Sequence, residues 1–332
     1  MTDSTPSPEI IDNLTNGVYS GLAMVAGMQL DVFTPLSNGP MNPEQLANAL
    51  GVGVGRFRPL LDALAAAGLL KVERDVYSNT PETDHFLVPG KPTYTGGTQL
   101  LSLHWTNILK TADSIRSGSP QARIDYSAMS IEELEAGFGR FYHNTVATAR
   151  NIVERYDLSS YRTLLDVGGG TGGLAITVTE SCPNIQATVV DLPNVTPLTQ
   201  RFVNEAGAAD RVQVVTADAV NGPLTGSFDA AVLNAFIQVL SPDQARRAIR
   251  SVSEVINRDG AIFISGVGIL DDSRVSPPQS TGFNLNAINV FDEGHAYTEQ
   301  EHKNWLTEAG FEGVERATLP NGVSIISARK SE

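Results

Sequence analysis

Cysteine is nearly absent from this chain: Cys182 is the only one in 332 residues. A single thiol closes no intrachain disulfide and builds no multi-thiolate metal centre, so a reducing, cytoplasmic setting is expected. Basic residues are scarce too, 23 Lys and Arg against 37 Asp and Glu, for a formal net charge of −14. Phosphate-backbone binding needs clustered cations, so nucleic acid is not expected as a partner. No stretch approaches the roughly 18 apolar residues of a membrane span. Residues 1–9 are polar and rich in Pro and Ser, without the basic-then-apolar order of a signal peptide. No His, Asp and Glu cluster stands at ligand spacing. Asp292, Glu293 and His295 are close in sequence but read as a polar loop, so no metal is expected.

What is present is ordinary globular composition, 41% hydrophobic, in a chain long enough for more than one core. Its centre is the stretch Leu164-Leu165-Asp166-Val167-Gly168-Gly169-Gly170-Thr171-Gly172-Gly173. An apolar run from Thr163 reads as a buried strand, the glycines as a turn where backbone approaches a ligand, and Leu174 to Glu180 as the following helix. Asp166, two residues before the first glycine, suits a ligand with a cationic amino-acid end such as S-adenosylmethionine. Two further carboxylates fall at strand ends. Asp191, about twenty residues on, can accept from ribose hydroxyls, and Asp218, with Ala219 beside it, from an adenine amino group. Strands and helices alternate through the rest of this half, which predicts a doubly wound α/β sheet with strands at Ala187–Asp191, Val212–Thr216, Phe228–Asn234, Gly260–Gly266, Gly313–Ala317 and Val323–Arg329.

The first part differs. Ile10 to Phe33 reads as an apolar helix suited to a subunit contact. Asn42-Pro43-Glu44-Gln45 opens a helix that ends at Gly51, a second runs from Arg56 to Ala67, and a hairpin follows at Leu69–Asn79, the plan of a winged helix. Such modules often bind DNA, but residues 41–90 carry four basic against six acidic residues, so packing against a second subunit is expected. Helices at Thr98–Arg116 and Ile131–Tyr156 bridge to the second part. Their aromatic and imidazole groups, His104-Trp105, Tyr126 and Phe138 to His143, are candidates for a pocket lid.

Taken together, these residues resemble the S-adenosylmethionine-dependent small-molecule O-methyltransferases of the caffeate, acetylserotonin and bacterial polyketide type. The carriers are Leu-Asp-Val-Gly-Gly-Gly-Thr-Gly-Gly, Val-Val-Asp191-Leu192-Pro, Ala-Asp218-Ala and the stretch from Tyr297 to Phe311. The resemblance implies a Rossmann-like class I methyltransferase sheet over residues 161–332, a helical linker and lid over 98–160, and a mainly helical winged-helix dimerisation domain over 1–97. It implies a homodimer, S-adenosyl-L-methionine held by Asp166, Gly168, Gly170, Asp191, Leu192, Asp218, Ala219 and Asn234, and a small-molecule acceptor near Trp105, Phe138, Tyr142, His143, Gln238, His295 and Tyr297.

The departures bear on chemistry. Where the family places a general-base His followed by Asp, this chain has Gln238 and Val239, and Val267 and Ala296 replace two supporting Glu residues. A glutamine amide accepts no proton at neutral pH, whereas a positioned His supplies on the order of 10² to 10⁴ in rate. The base is then another histidine, with His104, His143, His295 and His302 as candidates, or the acceptor has no proton to lose. The latter suits a thioether, an already ionised carboxylate or a carbon nucleophile activated beforehand. On the thioether reading the chain is similar to the bacterial methylthiohydroxybutyrate S-methyltransferases of dimethylsulfoniopropionate synthesis. An O-methyltransferase with a relocated base and a cofactor-binding relative that transfers no methyl are the alternatives.

Overall fold

The computed structural model describes residues 6–91, 93–94 and 104–331. It forms two compact units, Met1–Leu103 and His104–Glu332.

In the first unit, helices Glu9–Gln29, Pro43–Leu50 and Val54–Ala66 precede the antiparallel hairpin β1 (Leu70–Glu73) and β2 (Val76–Asn79). The Asn42 and Gln45 side chains close a reciprocal capping box at the start of the second helix, and Gly51 ends it with φ 68°. Phe33, Leu46, Phe57, Leu61, Leu64 and Tyr77 form the core, with Gly27 letting the first helix approach Leu64 and Phe33. The first helix leaves one face uncovered: Ile10, Leu14, Val18 and Leu22, four residues apart, are at least 50% exposed. Such a stripe is the expected seat of another chain.

The second unit is built on a seven-stranded sheet in the order β10-β11-β7-β6-β3-β4-β5. Its strands are β3 (Thr163–Val167), β4 (Gln186–Asp191), β5 (Val212–Thr216), β6 (Phe228–Asn234), β7 (Ile256–Gly266), β10 (Phe311–Thr318) and β11 (Ser324–Lys330). β5, β4, β3, β6 and β7 run parallel, and β10 and β11 close one edge antiparallel. The expected Rossmann-like sheet is therefore present, with two hydrophobic layers. Leu165, Leu233 and Ile264 pack into one layer and Leu164, Val232 and Phe263 into the other, which is why these strands read as unbroken apolar runs. From β3 the chain goes one way to β4 and β5 and later returns on the other side to β6, so the crevice beyond the carboxyl end of β3 is the switch point where ligands bind.

Three expectations need correction. β7 begins at Ile256 rather than Gly260, because the turn-like Asp259-Gly260 is absorbed as an irregularity in the β6–β7 register. The helix expected over Thr98–Arg116 has its first six residues outside the described ones. Residues 104–108 are helical, and a turn at 109–110 precedes the helix Thr111–Ser117. There the Thr111 hydroxyl donates to the Ile108 carbonyl and competes with the backbone ladder. A helix at Pro278–Val290 was not anticipated. Its apolar residues fall on all sides, with the buried Asn286 and Asn289 among them, so it lacks a readable stripe.

Candidate active site

The glycine turn after β3 is held from both ends. Gly168, Gly170 and Gly172 have φ of 64°, 56° and 73°, a region that other residues adopt only with strain. The Gly170 N–H donates to Asp191 Oδ2 at 2.8 Å, and the buried Thr199 hydroxyl donates to the Gly170 carbonyl at 2.5 Å. Asp191 also accepts the Leu192 N–H at 2.8 Å. Burial pushes the Asp191 carboxyl above the ordinary range, and these two amides oppose the shift. Asp218 accepts from the amides of Val220 and Asn221 and from the Asn221 side chain, fixing its own turn beside the buried Ala219.

Asp166 is the exceptional group. Its side chain is buried at 1% exposure, and among the described residues neither carboxylate oxygen has a hydrogen-bond partner of good geometry. Burial raises its carboxyl to about 7, the Ala175 amide opposes this from a poorly aligned position, and the Asp191 carboxylate adds to it. Buried polar atoms are rarely left unmatched, and a ligand carrying an ammonium group matches these.

The long helix Ile131–Arg155 starts on a Ser130–Glu133 capping box and lies along this turn. Phe138 faces Gly170, 3.7 Å from where a Cβ would stand, and Tyr142 fills the space beside Gly173. Phe138 stacks on Tyr126 with centroids 5.5 Å apart, and Asn194, just past β4, donates to the Tyr126 carbonyl. These aromatics pack with Leu192, Leu134 and Leu198. Phe138 and Tyr142 thus lie beside the glycine turn, and Leu192 packs with Phe138. His143 is exposed next to Tyr142, and Trp105 is half-buried in the 104–108 segment.

Gln238, Val267 and Ala296 lie on three segments that the fold brings into contact. Gln238 sits on a short helical turn after β6, and its Oε1 accepts the Gly268 N–H at 2.8 Å. Gly268 opens the small parallel pair β8 (Ile269–Leu270) and β9 (Tyr297–Thr298), and its carbonyl accepts the Tyr297 N–H at 3.0 Å. Gly294 is packed so closely on Val239 that a Cβ there would stand 2.7 Å from its carbonyl group. Asn234, at the end of β6, accepts from the Ser265 hydroxyl at 2.9 Å.

The histidines and Tyr297 divide differently from expectation. Tyr297 is completely buried, donates its hydroxyl to the Leu240 carbonyl and packs edge-on against Trp305. Its side chain presents no surface to solvent. His302 is also a core residue, its Nδ1–H bonded to the Thr298 carbonyl, and burial lowers its pKa to about 4. His104 is half-buried, which lowers its pKa. His295 packs at a tilt against Tyr297, ring centroids 4.2 Å apart, and donates Nδ1–H to the Glu293 carbonyl at 2.8 Å. Because a carbonyl can only accept, that bond leaves Nε2 with a lone pair in the neutral ring. His295 borders a cleft of about 280 Å³ between Ser114, Ile288 and Phe291. Among the described residues no group of three or more His, Cys, Asp or Glu could hold a metal ion.

Two family models match this chain: an O-methyltransferase domain over residues 127–312 and an O-methyltransferase dimerisation domain over 13–89. The chain belongs to the O-methyltransferase family. It is 29% identical to the 3-hydroxy-5-methyl-1-naphthoate 3-O-methyltransferase of Streptomyces sahachiroi, over 98% of this chain and 96% of that protein. It is 26% identical to the N,N-dimethyltransferase OxyT of Streptomyces rimosus, over 90% and 89% respectively. The fold is that of human N-acetylserotonin methyltransferase, solved in complex with S-adenosylmethionine, at a TM-score of 0.81 and 22% identity with both chains fully covered. This family member is a methyltransferase of small molecules that uses S-adenosylmethionine. The unmatched Asp166 oxygens and the glycine turn, with no room for a Cβ at Gly168, Gly169 or Gly173, fit that donor.

Sequence reasoning missed Phe236, Thr199 and the Gly266–Gly268 pair. A Cβ on Gly168 would stand 2.4 Å from the Phe236 ring, and one on Gly266 or Gly268 would stand 2.5 Å from the Gln238 side chain. The two glycines flanking Val267 were the available signal.

Proposed function

We propose that this family member methylates an acceptor that attacks without losing a proton, and that the acceptor is the thioether sulfur of 4-methylthio-2-hydroxybutyrate. The supporting observation is that the segments carrying Gln238, Val267 and Ala296 lie against one another, with the Gln238 amide oxygen already bonded to Gly268. When bound, S-adenosylmethionine supplies an electrophilic methyl group. The acceptor's sulfur lone pair forms the new S–CH₃ bond, the electrons of the broken bond stay with the donor sulfur, and no proton is released. Reactant and product ends both carry positive charge, which an aromatic face such as that of Phe138, beside Gly170, would favour by roughly 0.5–2 kcal/mol where water is excluded. Holding donor and acceptor in line contributes several kcal/mol more. The exposed stripe of the first helix supports a homodimer.

Incubation with S-adenosylmethionine and this hydroxy acid, followed by mass spectrometry, tests the reading. A dimethylsulfonio product is expected, and its absence removes the thioether assignment. One observation favours a second reading: His295, adjacent to Ala296, donates Nδ1–H to the Glu293 carbonyl, which puts the acceptor lone pair of its neutral ring on Nε2. In that case the acceptor is a hydroxyl, consistent with the family's O-methyltransferases, and His295→Gln abolishes transfer.

A further inference from the structure

The turn at 235–239 touches both halves of the site. Phe236 lies over Gly168, so close that any side chain there would collide with its ring. Two residues on, Gln238 accepts the N–H of the buried Gly268 and fills the space that Gly266 and Gly268 leave. Between the strand and these contacts, Ala235 takes φ 55°, a strained value for a residue with a Cβ. Such a conformation persists only where neighbours over-determine it, and the Ala235 N–H bonded to the Ser265 carbonyl at 2.7 Å is one such neighbour.

We propose that Gln238 is a positioning residue for donor binding: its bond to Gly268 fixes the 235–239 turn, and through Phe236 that turn fixes the glycine loop. This goes beyond the choice of acceptor and rests only on the donor site. The Gly268 N–H is buried and must have an acceptor, and Gln238 Oε1 provides it. Without that bond the turn loses its hold on one side, and Phe236 loses the anchor that keeps it against Gly168.

Titrating S-adenosylhomocysteine into the full-length protein by calorimetry requires no acceptor, so the result stands apart from any failure of the thioether reading. Gln238→Met keeps the length of the side chain without an oxygen, and the expected Kd is roughly 5- to 50-fold weaker. Gln238→Glu retains an acceptor oxygen and is expected to restore near-wild-type affinity. Combining Gln238→Met with Phe236→Leu is expected to cost little more than Phe236→Leu alone, because both act through one contact chain. A purely structural role gives a different pattern, with affinity following the melting temperature and additive losses. Wild-type affinity in Gln238→Met, or additive losses in the double variant, overturns the proposal. Should Gln238→Met not fold, Gln238→Asn, which falls one methylene short of Gly268, is expected to show the same weakening, and unchanged affinity there overturns it equally.

Discussion

Replacing Asp166 with asparagine should stabilise the free protein and cripple the donor site at once. The carboxyl titrates near 7 in the fold against an unperturbed value of 3.8. A carboxyl raised in this way binds an extra proton in the folded state between those values, so its contribution is most favourable below pH 4 and is lost as pH rises to 7. Three pKa units at about 1.4 kcal/mol each give a penalty of roughly 3–5 kcal/mol above pH 7. An asparagine amide in the same buried position carries no charge but lacks partners, at a cost of about 1–3 kcal/mol. The difference predicts that Asp166→Asn gains roughly 1–3 kcal/mol at pH 8, and nothing or a loss at pH 4.5. Denaturant titrations of the donor-free protein at both pH values read this directly. S-adenosylhomocysteine, whose ammonium would meet the carboxylate, should bind the variant roughly 10-fold or more weakly, and wild-type affinity should strengthen as pH rises through 7. A variant that is less stable than wild type at pH 8 while retaining affinity refutes the description of Asp166 as an unmatched, donor-facing charge.

Thr199→Val removes the hydroxyl bonded to the Gly170 carbonyl; a stability loss of about 1–2 kcal/mol and weaker donor binding are expected, checked by denaturation and calorimetry. Tyr297→Phe deletes only the bond to Leu240, so it should cost about 1–2 kcal/mol and leave the acceptor KM unchanged; a large rise in KM would return Tyr297 to the pocket wall. Leu14→Lys with Val18→Lys places charge in the exposed stripe of the first helix, and sedimentation should show monomers in place of dimers.

The donor half of the site was legible because its chemistry is local in sequence. Asp166 and the glycines share one turn, and Asp191 and Asp218 stand at the ends of successive strands. The acceptor half was less so. Tyr297 reads as a pocket aromatic, yet its hydroxyl partner, Leu240, is 57 residues away and no periodicity reveals it. Gln238 reads as a missing base, whereas its bond to Gly268 depends on β6 and β7 lying side by side. His302, on a helix with mixed polar residues, gave no sign of its burial against Tyr297 and Trp305. The helix Pro278–Val290 escaped because Asn289, which bonds both Ser114 and Thr111, and Asn286, which bonds Asn107, interrupt its apolar pattern.

The central claim is that the reacting atom needs no proton acceptor, and the pH dependence of single-turnover methyl transfer tests it most directly. With saturating S-adenosylmethionine and 4-methylthio-2-hydroxybutyrate, the rate from pH 7.5 to 9.5 should be flat in the wild type and the same in His295→Gln. A rate that climbs through one ionisation, and disappears with the His295 ring, would contradict it.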